Sequence, residues 1–232
     1  MRVVLLRGSN EHGEGSSMPF GDRDEAGRRL AGRLAGYRTA DAVVLGVPRG
    51  GVPVARRVAE ALDAPLDVIV VRRLRVPDHP ELGLGAVAEA DVRIIDDEVV
   101  FRTGVGERDL AAAEERARAE LAEQAARLRA ARSRVDVAGR TATVVDDGAA
   151  TGTSTHAACR VAREQGASRV VLALPVAPPE ALRRLAEVVD EIVCLETPLA
   201  LPSIGEWYRD FDEVRDADVA ALLGATPAPR TG

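Results

Sequence analysis

Apolar positions in the first third of the chain switch between helical spacing and short continuous runs. Residues spaced three or four apart favour amphipathic helices, and continuous β-branched runs that end at a proline or a polar residue favour buried strands. The pattern predicts, in order, helix 24–37, strand 42–47, helix 53–62 and strand 66–71.

The middle of the chain predicts a strand pair and then a long helix. Two apolar stretches within residues 87–95 flank Glu89-Ala90-Asp91, which is typical of two short strands joined by a turn. Residues 107–132 are rich in Ala, Glu and Arg, with one apolar stripe at Leu110, Ala113, Leu121 and Leu128. This stripe favours an amphipathic helix packed on the rest of the chain, with a coiled coil as the alternative.

The second half of the chain repeats the alternation of strands and helices. It predicts strand 141–145, helix 154–165, strand 169–174, helix 179–187 and strand 191–195. Strands that alternate with helices imply right-handed crossovers, and hence a parallel sheet with helices on both faces.

Both ends of the chain are predicted to lie outside this α/β unit. The apolar run Val3 to Leu6 is closed by Arg7 and is too short for a signal peptide. We expect residues 1–19 to form a flexible extension and residues 225–232, with two prolines and a terminal glycine, to form a disordered tail. No stretch approaches the roughly 20 apolar residues of a membrane span, so no membrane partner is expected.

Composition and charge narrow the function classes. All 31 basic residues are arginine, which excludes lysine chemistry such as Schiff bases and the Walker A loop. The formal net charge of −6 argues against nucleic-acid binding. Cys159 and Cys194 lack metal-ligand spacing and read as small buried hydrophobes. A reducing, cytoplasmic location fits this cysteine usage.

The most informative stretch follows the predicted strand 141–145. It reads Thr143-Val144-Val145-Asp146-Asp147-Gly148-Ala149-Ala150-Thr151-Gly152-Thr153-Ser154. A loop of small residues that opens a helix can direct several backbone N–H groups at an anion. The two aspartates are wrongly charged for the same phosphate, but they suit sugar hydroxyls and a nearby cation. An ordinary N-capped helix after a strand is the alternative.

A second loop, Gly46-Val47-Pro48-Arg49-Gly50-Gly51-Val52-Pro53, follows the first predicted strand and precedes a helix. It also points backbone N–H groups towards the carboxyl edge of the sheet. Taken alone it would be weak, because turns use these residues freely. Its position ahead of the aspartate motif makes the combination informative.

Together the two loops resemble those of the type I phosphoribosyltransferase family, which binds 5-phosphoribosyl-1-pyrophosphate (PRPP). The resemblance implies that Asp146 and Asp147 hold the ribose hydroxyls. It also implies a pyrophosphate loop at Arg49, Gly50 and Gly51, often with a non-proline cis peptide. The implied 5′-phosphate cradle consists of Ala150, Thr151, Gly152, Thr153 and Ser154.

The resemblance also suggests roles for two other regions. The polar connection 72–85 is expected to be a mobile surface loop that closes over PRPP. Its Arg72 and Arg73 are the candidate catalytic residues, reaching the pyrophosphate, with solvated surface charges as the alternative. In a hood over the base at about 196–215, Trp207 or Tyr208 would stack on the base or anchor the segment.

The resulting hypothesis is a phosphoribosyltransferase-like α/β domain over residues 20–224, a parallel sheet flanked by helices with a small C-terminal hood. The implied reaction transfers the phosphoribosyl group of PRPP to a nitrogen nucleophile, with Mg²⁺ carried mainly by PRPP and no direct protein metal site. The alternative is a non-catalytic PRPP or nucleotide sensor with the same site. The acceptor base and any homo-oligomer stay open.

Overall fold

The computed structural model describes residues 2–5, 20–38, 41–76 and 79–225, and for residues 2–5 and 79–82 it describes the backbone alone. The strands are β1 (Arg2–Leu5), β2 (Ala42–Gly46), β3 (Leu66–Val68), β4 (Val71–Val76), β5 (His79–Ala88), β6 (Arg93–Ile95), β7 (Thr141–Val145), β8 (Arg169–Val176) and β9 (Glu191–Glu196). The α-helices are α1 (Arg23–Leu34), α2 (Gly51–Leu62), α3 (Asp97–Thr103), α4 (Glu107–Ala131), α5 (Thr153–Glu164), α6 (Pro179–Leu185) and α7 (Asp216–Gly224). In the described residues, no helix is long and apolar enough to cross a membrane.

The main sheet has six parallel strands in the order β1-β9-β8-β7-β2-β3, which confirms the predicted fold class. Its strands are buried on both faces, as the continuous apolar runs predicted. In β2, Val44 packs in the cluster with α1 and α2, whereas Val43 and Leu45 pack in the cluster with α5 and α6. Cys159 and Cys194 are free and buried in the second cluster, as predicted.

A smaller antiparallel sheet, β4-β5-β6, stands beside the main one. The prediction of one strand over 66–71 was wrong, since β3 ends at Val68 and Val71 begins β4 in the other sheet. The mobile loop expected over 72–85 instead consists largely of β4 and β5, which pair in antiparallel as the β4–β5 hairpin; residues 77 and 78 lie outside the described residues. Its apolar residues are buried under α4 by Ala113 and Ala117, a packing that the polar local sequence does not reveal.

Helix α4 lies close to its predicted bounds and packs within the chain, as an amphipathic helix should. Ala113, Ala117, Gln124 and Leu128 are buried, and Ala113 and Ala117 also line the cavity described below, together with Arg116, Glu120 and Arg127. The buried face of α4 therefore packs against the β4–β5 hairpin and against the core cluster that contains α1 and α2.

The expected flexible extension over 1–19 needs a correction for residues 2–5. They form β1, which pairs with β9 in parallel and extends the sheet beyond β9. The physical reason is that β9 would otherwise present an unpaired edge to which an apolar run can add. Residues 6–19 and the tail from 226 lie outside the described residues, so those expectations stay predictions.

Candidate functional site

Two loops meet at the carboxyl edge of the main sheet. β2 and β7 are parallel neighbours with Gly46 opposite Val145, so the segments that follow them emerge side by side. The N–H of Val47 donates to the carbonyl of Val145 over 2.9 Å, which ties the first loop to the strand end. The structure thus brings together the two motifs that the sequence placed about a hundred residues apart.

Glycine is required where the first loop crosses the two aspartates. A Cβ on Gly50 would collide with the Asp147 carboxylate, and one on Gly51 would lie 2.8 Å from the Asp146 Cα. The Pro48–Arg49 peptide is cis, the feature that the family resemblance led us to expect here. The loop backbone therefore lies directly against both carboxylates.

Asp146 is buried and held by hydrogen bonds from its own segment. The Asp147 N–H donates to Oδ1 over 2.9 Å, and the Thr155 hydroxyl donates to Oδ2 over 3.1 Å. Burial, together with the neighbouring charge of Asp147, raises the pKa of Asp146 well above its ordinary value. The surroundings of Asp146 therefore favour its protonated form.

Asp147 is held by a residue that the sequence reasoning missed. Arg23 Nε donates to Asp147 Oδ2 over 2.8 Å, and both side chains are nearly buried. Arg23 Nη1 also donates to the carbonyl of Asp212 over 2.8 Å, and its guanidinium lies 3.7 Å from the centre of the Phe211 ring. One signal was available: an arginine in the first turn of a helix opposes the helix dipole and so suggests a partner elsewhere.

The segment 150–154 forms the turn into α5. Gly152 has a φ of 80°, and a Cβ there would lie 3.2 Å from the Leu185 side chain. The hydroxyls of Thr151 and Thr153 lie 3.2 Å apart at the start of the helix. Ser154 accepts a hydrogen bond from Arg73 Nε over 3.1 Å, so Arg73 lies beside this segment, whereas the resemblance implied that it reaches the pyrophosphate. The arrangement offers hydroxyls, helix N–H groups and a guanidinium to an anion.

The other two predicted arginines stand near carboxylates. Arg49 Nη1 lies 3.2 Å from Glu213 Oε1 in a largely exposed pair. Arg72 Nε lies 3.6 Å from Glu120 Oε2, beyond hydrogen-bond reach, and this buried Nε has no acceptor. Burial lowers the pKa of Arg72 from its usual value. Arg72 thus offers an unmet donor.

A cavity of about 620 Å³ connects most of these groups. Its lining includes the predicted site residues Arg49, Gly50, Arg72, Arg73, Asp146, Asp147 and Ser154. Thr151, Gly152 and Thr153 instead line a second cavity of about 250 Å³, which also includes His156 and Arg184. Gly51 and Ala150 are not among the lining residues of either cavity. The predicted site residues are therefore divided between the main cavity and a smaller second cavity.

Trp207 and Tyr208, the two aromatic residues predicted in the hood, have different surroundings. Tyr208 is buried, its ring centre lies 5.3 Å from that of Phe20, and its hydroxyl donates to the Asp147 carbonyl over 2.6 Å. The prediction that a base stacks on Tyr208 is therefore wrong, because the buried ring anchors the hood segment to Phe20 and Asp147. Trp207 packs partly against the first core cluster and does not line the main cavity.

Comparison with known proteins is consistent with this geometry. The phosphoribosyl transferase domain model matches residues 23–203, which include both loops. The chain belongs to the phosphoribosyl transferase domain family. Tyr208, Asp212 and Asp216 lie beyond the matched residues, although the first two contact the site and the third lines its cavity.

The proteins that resemble this chain differ in length. Two proteins of Mycobacterium tuberculosis, from strains H37Rv and CDC 1551 and provisionally named phosphoribosyl transferases, are 48% identical over 204 residues. That match covers 88% of this chain but 46% of theirs, so the chain spans about half their length. The crystal structure of TT1426 from Thermus thermophilus is 42% identical, with a TM-score of 0.74 over 89% of this chain and 98% of that one.

Proposed function

We propose that this chain binds PRPP and transfers its phosphoribosyl group to a nitrogen nucleophile, with release of pyrophosphate. One observation carries the proposal: the Arg49-Gly50-Gly51 loop lies against Asp146 and Asp147 at the mouth of a single cavity. This arrangement places groups suited to a pyrophosphate beside groups suited to a ribose diol. Family membership over residues 23–203 supports it.

The roles of the residues follow from their chemistry. Asp147, held by Arg23, accepts a hydrogen bond from one ribose hydroxyl, and Asp146 forms a hydrogen bond with the other hydroxyl. Ser154 and Arg73 face the 5′-phosphate together with the N–H groups of residues 150–154. Arg49 and Arg72 receive the pyrophosphate, the latter through the Nε that lacks an acceptor.

In the transfer, a nitrogen lone pair of the acceptor forms the new bond to C1 of the ribose. The C1–O bond breaks and pyrophosphate leaves with the bonding pair. Where the nucleophilic nitrogen carries a proton, that proton passes to solvent, and a pyridine-type nitrogen instead becomes cationic. The arginines stabilise charge that develops on the leaving group, which is electrostatic and orientational catalysis. No covalent intermediate with the chain is needed.

Magnesium fits the oxygen-rich chemistry of this site when PRPP supplies most of its ligands. Within the described residues, no three carboxylate, histidine or cysteine side chains cluster as a metal site would require. Asp146 and Asp147 are the carboxylates that would stand near the ion. When bound, Mg²⁺ neutralises charge on the pyrophosphate.

Incubation with PRPP, Mg²⁺ and a panel of nitrogen acceptors, with pyrophosphate release as the readout, tests the proposal. Turnover with any acceptor supports it. Binding of PRPP without turnover would favour a PRPP-sensing regulatory protein instead, and absence of PRPP binding would contradict both.

The acceptor is predicted not to be a 6-oxopurine such as hypoxanthine or guanine. Enzymes for those bases resemble this motif but carry an aspartate where this chain has Ala150, which offers no proton acceptor. General-base help is typically worth about 10²–10⁴-fold, so its loss should be visible in kcat/KM. Efficient turnover of hypoxanthine or guanine, with adenine, orotate and uracil inert, would contradict this prediction.

A further inference from the structure

Four arginines from outside the two loops line the main cavity, and we call them the arginine wall: Arg72 and Arg75 on β4, and Arg116 and Arg127 on α4. Spacings of three or four residues put Ala113, Arg116, Ala117 and Glu120 on one side of α4. The small side chains of Ala113 and Ala117 are buried against the β4–β5 hairpin, which lets the helix lie close to β4. Arg116 and Glu120 are thereby brought to the cavity.

The wall carries positive charge that the chain itself does not neutralise. Arg127 pairs with Asp216 at 2.9 Å, and Arg72 lies 3.6 Å from Glu120. Neither Arg75 nor Arg116 has an ion-pair partner among the residues that the structure describes. The formal net charge of the chain is −6, so this concentration of unpaired cations runs against its overall balance. Unpaired arginines around a cavity indicate an anionic ligand.

In the proposed mode of binding, PRPP accounts for Arg72 but not for the other three arginines of the wall. Its 5′-phosphate faces Ser154 and Arg73, and its pyrophosphate faces the Arg49-Gly50-Gly51 loop with Arg72 and a magnesium ion. Arg75, Arg116 and the paired Arg127 line the same cavity and have no role in that mode of binding. Within the described residues, none of the aromatic side chains lines this cavity, so stacking offers an acceptor little there.

We propose that Arg75, Arg116 and Arg127 of the arginine wall form the acceptor site and that the acceptor is an anion, a nitrogen nucleophile that carries a carboxylate or a phosphate group. This inference rests on the proposed function and specifies its substrate class. Planar guanidinium groups bind both kinds of anion through paired hydrogen bonds. Arg116 and Arg75 bind the charged group of the acceptor, and the nucleophilic nitrogen points towards the ribose held at Asp146 and Asp147.

Matched acceptor pairs test the charge requirement directly. Orotate against uracil and nicotinate against nicotinamide vary a carboxylate, and phosphoethanolamine against ethanolamine varies a phosphate. With saturating Mg-PRPP, we expect kcat/KM for the charged member of at least one pair to exceed that for its neutral partner about tenfold or more. The pair that shows the contrast distinguishes a carboxylate from a phosphate. Equal turnover of charged and neutral members would overturn the proposal.

Variants of the wall separate the acceptor from the pyrophosphate. Arg116→Gln and Arg75→Gln should each lower kcat/KM for the charged acceptor about tenfold, and change the Kd of Mg-PRPP by less than about twofold. Arg108→Gln, on the exposed first turn of α4 and away from the cavity, is the matched control and should change neither. If either variant weakens the binding of Mg-PRPP as much as it lowers kcat/KM for the acceptor, the wall belongs to the leaving group and the proposal is overturned.

Failure of this inference can be told apart from failure of the proposed function. If the native protein binds Mg-PRPP but turns over no acceptor, calorimetric titration of orotate and uracil into that complex applies the same test to binding. If it binds no Mg-PRPP, the proposed function fails. Titrations of the ligand-free native and Arg116→Gln proteins then decide whether the wall selects anions, and equal binding of orotate and uracil would refute it.

Discussion

At the scale of single residues, the site depends on an asymmetry between two adjacent aspartates. Asp147 has a cationic partner in Arg23, whereas Asp146 receives hydrogen bonds from a backbone N–H and a hydroxyl. Burial and the Asp147 charge raise the pKa of Asp146. The surroundings of Asp146 thus favour its protonated form.

This asymmetry predicts a pH-dependent stability. The carboxyl of Asp146 titrates near pH 4 in the unfolded chain, and at a higher pH in the folded protein. Its stabilising contribution is therefore complete below about pH 4 and is lost as the pH rises through the folded value, by about 1.4 kcal/mol per unit of pKa displacement. Asp146→Asn, which cannot ionise, should melt above the native protein at pH 8 and converge with it towards pH 4. Melting curves across this range test it, and a constant difference would contradict it.

Arg23 gives a second prediction at this scale. Arg23→Gln leaves the Asp147 carboxylate without its cation and should destabilise the fold by about 3 kcal/mol, or roughly 6–12 °C in melting temperature. It should also raise the Kd of ribose 5-phosphate, and Arg23→Lys should restore part of both losses. Arg28→Gln, whose exposed pair with Asp24 lies on the same helix, is the control and should cost under about 0.5 kcal/mol. Equal effects of the Arg23→Gln and Arg28→Gln variants would contradict a role for Arg23 in the site.

At the scale of elements, the parallel strands were predictable and the hairpin was not. β7 matches its prediction residue for residue, because a strand buried on both faces leaves a continuous apolar run in the sequence. The β4–β5 hairpin depends on α4, which follows it in the chain, so its local sequence resembles a polar loop. Arg23 and Asp147 were not connected for the same reason, since they are 124 residues apart.

The loop after β2 leads to a prediction about ligand preference. Arg49→Ala should weaken pyrophosphate binding by about 1.5–3 kcal/mol, roughly 10–150-fold, because charge-assisted hydrogen bonds are lost. Ribose 5-phosphate binding should change much less, since its phosphate faces Ser154 and Arg73. Calorimetry with both ligands measures this, and Arg56→Ala on the exposed side of α2 is the matched control. Similar losses for pyrophosphate and ribose 5-phosphate would show that the two loops have exchanged roles.

At the scale of the whole molecule, the site joins parts that the family match separates. Residues 23–203 supply both loops, and the segment beyond them adds Tyr208 on the Asp147 carbonyl, Asp212 on Arg23 and Asp216 on Arg127. A ligand in the cavity therefore contacts the sheet edge, the hairpin–α4 unit and a region held by the C-terminal segment. Binding should consequently stabilise the molecule as one unit rather than a single loop.

This unity makes ligand-induced stabilisation a test of the whole arrangement. Mg-PRPP at 100 times its Kd should add about 2.7 kcal/mol, which for a chain of this size is roughly 5–11 °C in melting temperature. Asp147→Asn should reduce this ligand-induced shift, because an amide replaces a carboxylate that accepts from a ribose hydroxyl. The variant will also lose the Arg23 ion pair, so only the difference between its curves with and without ligand is informative. Asp136→Asn, an exposed carboxylate ahead of β7 at the opposite edge of the sheet, should keep the full shift. An unchanged native melting curve at millimolar Mg-PRPP would remove PRPP from this site, because a ligand that binds only the folded state cannot fail to stabilise it.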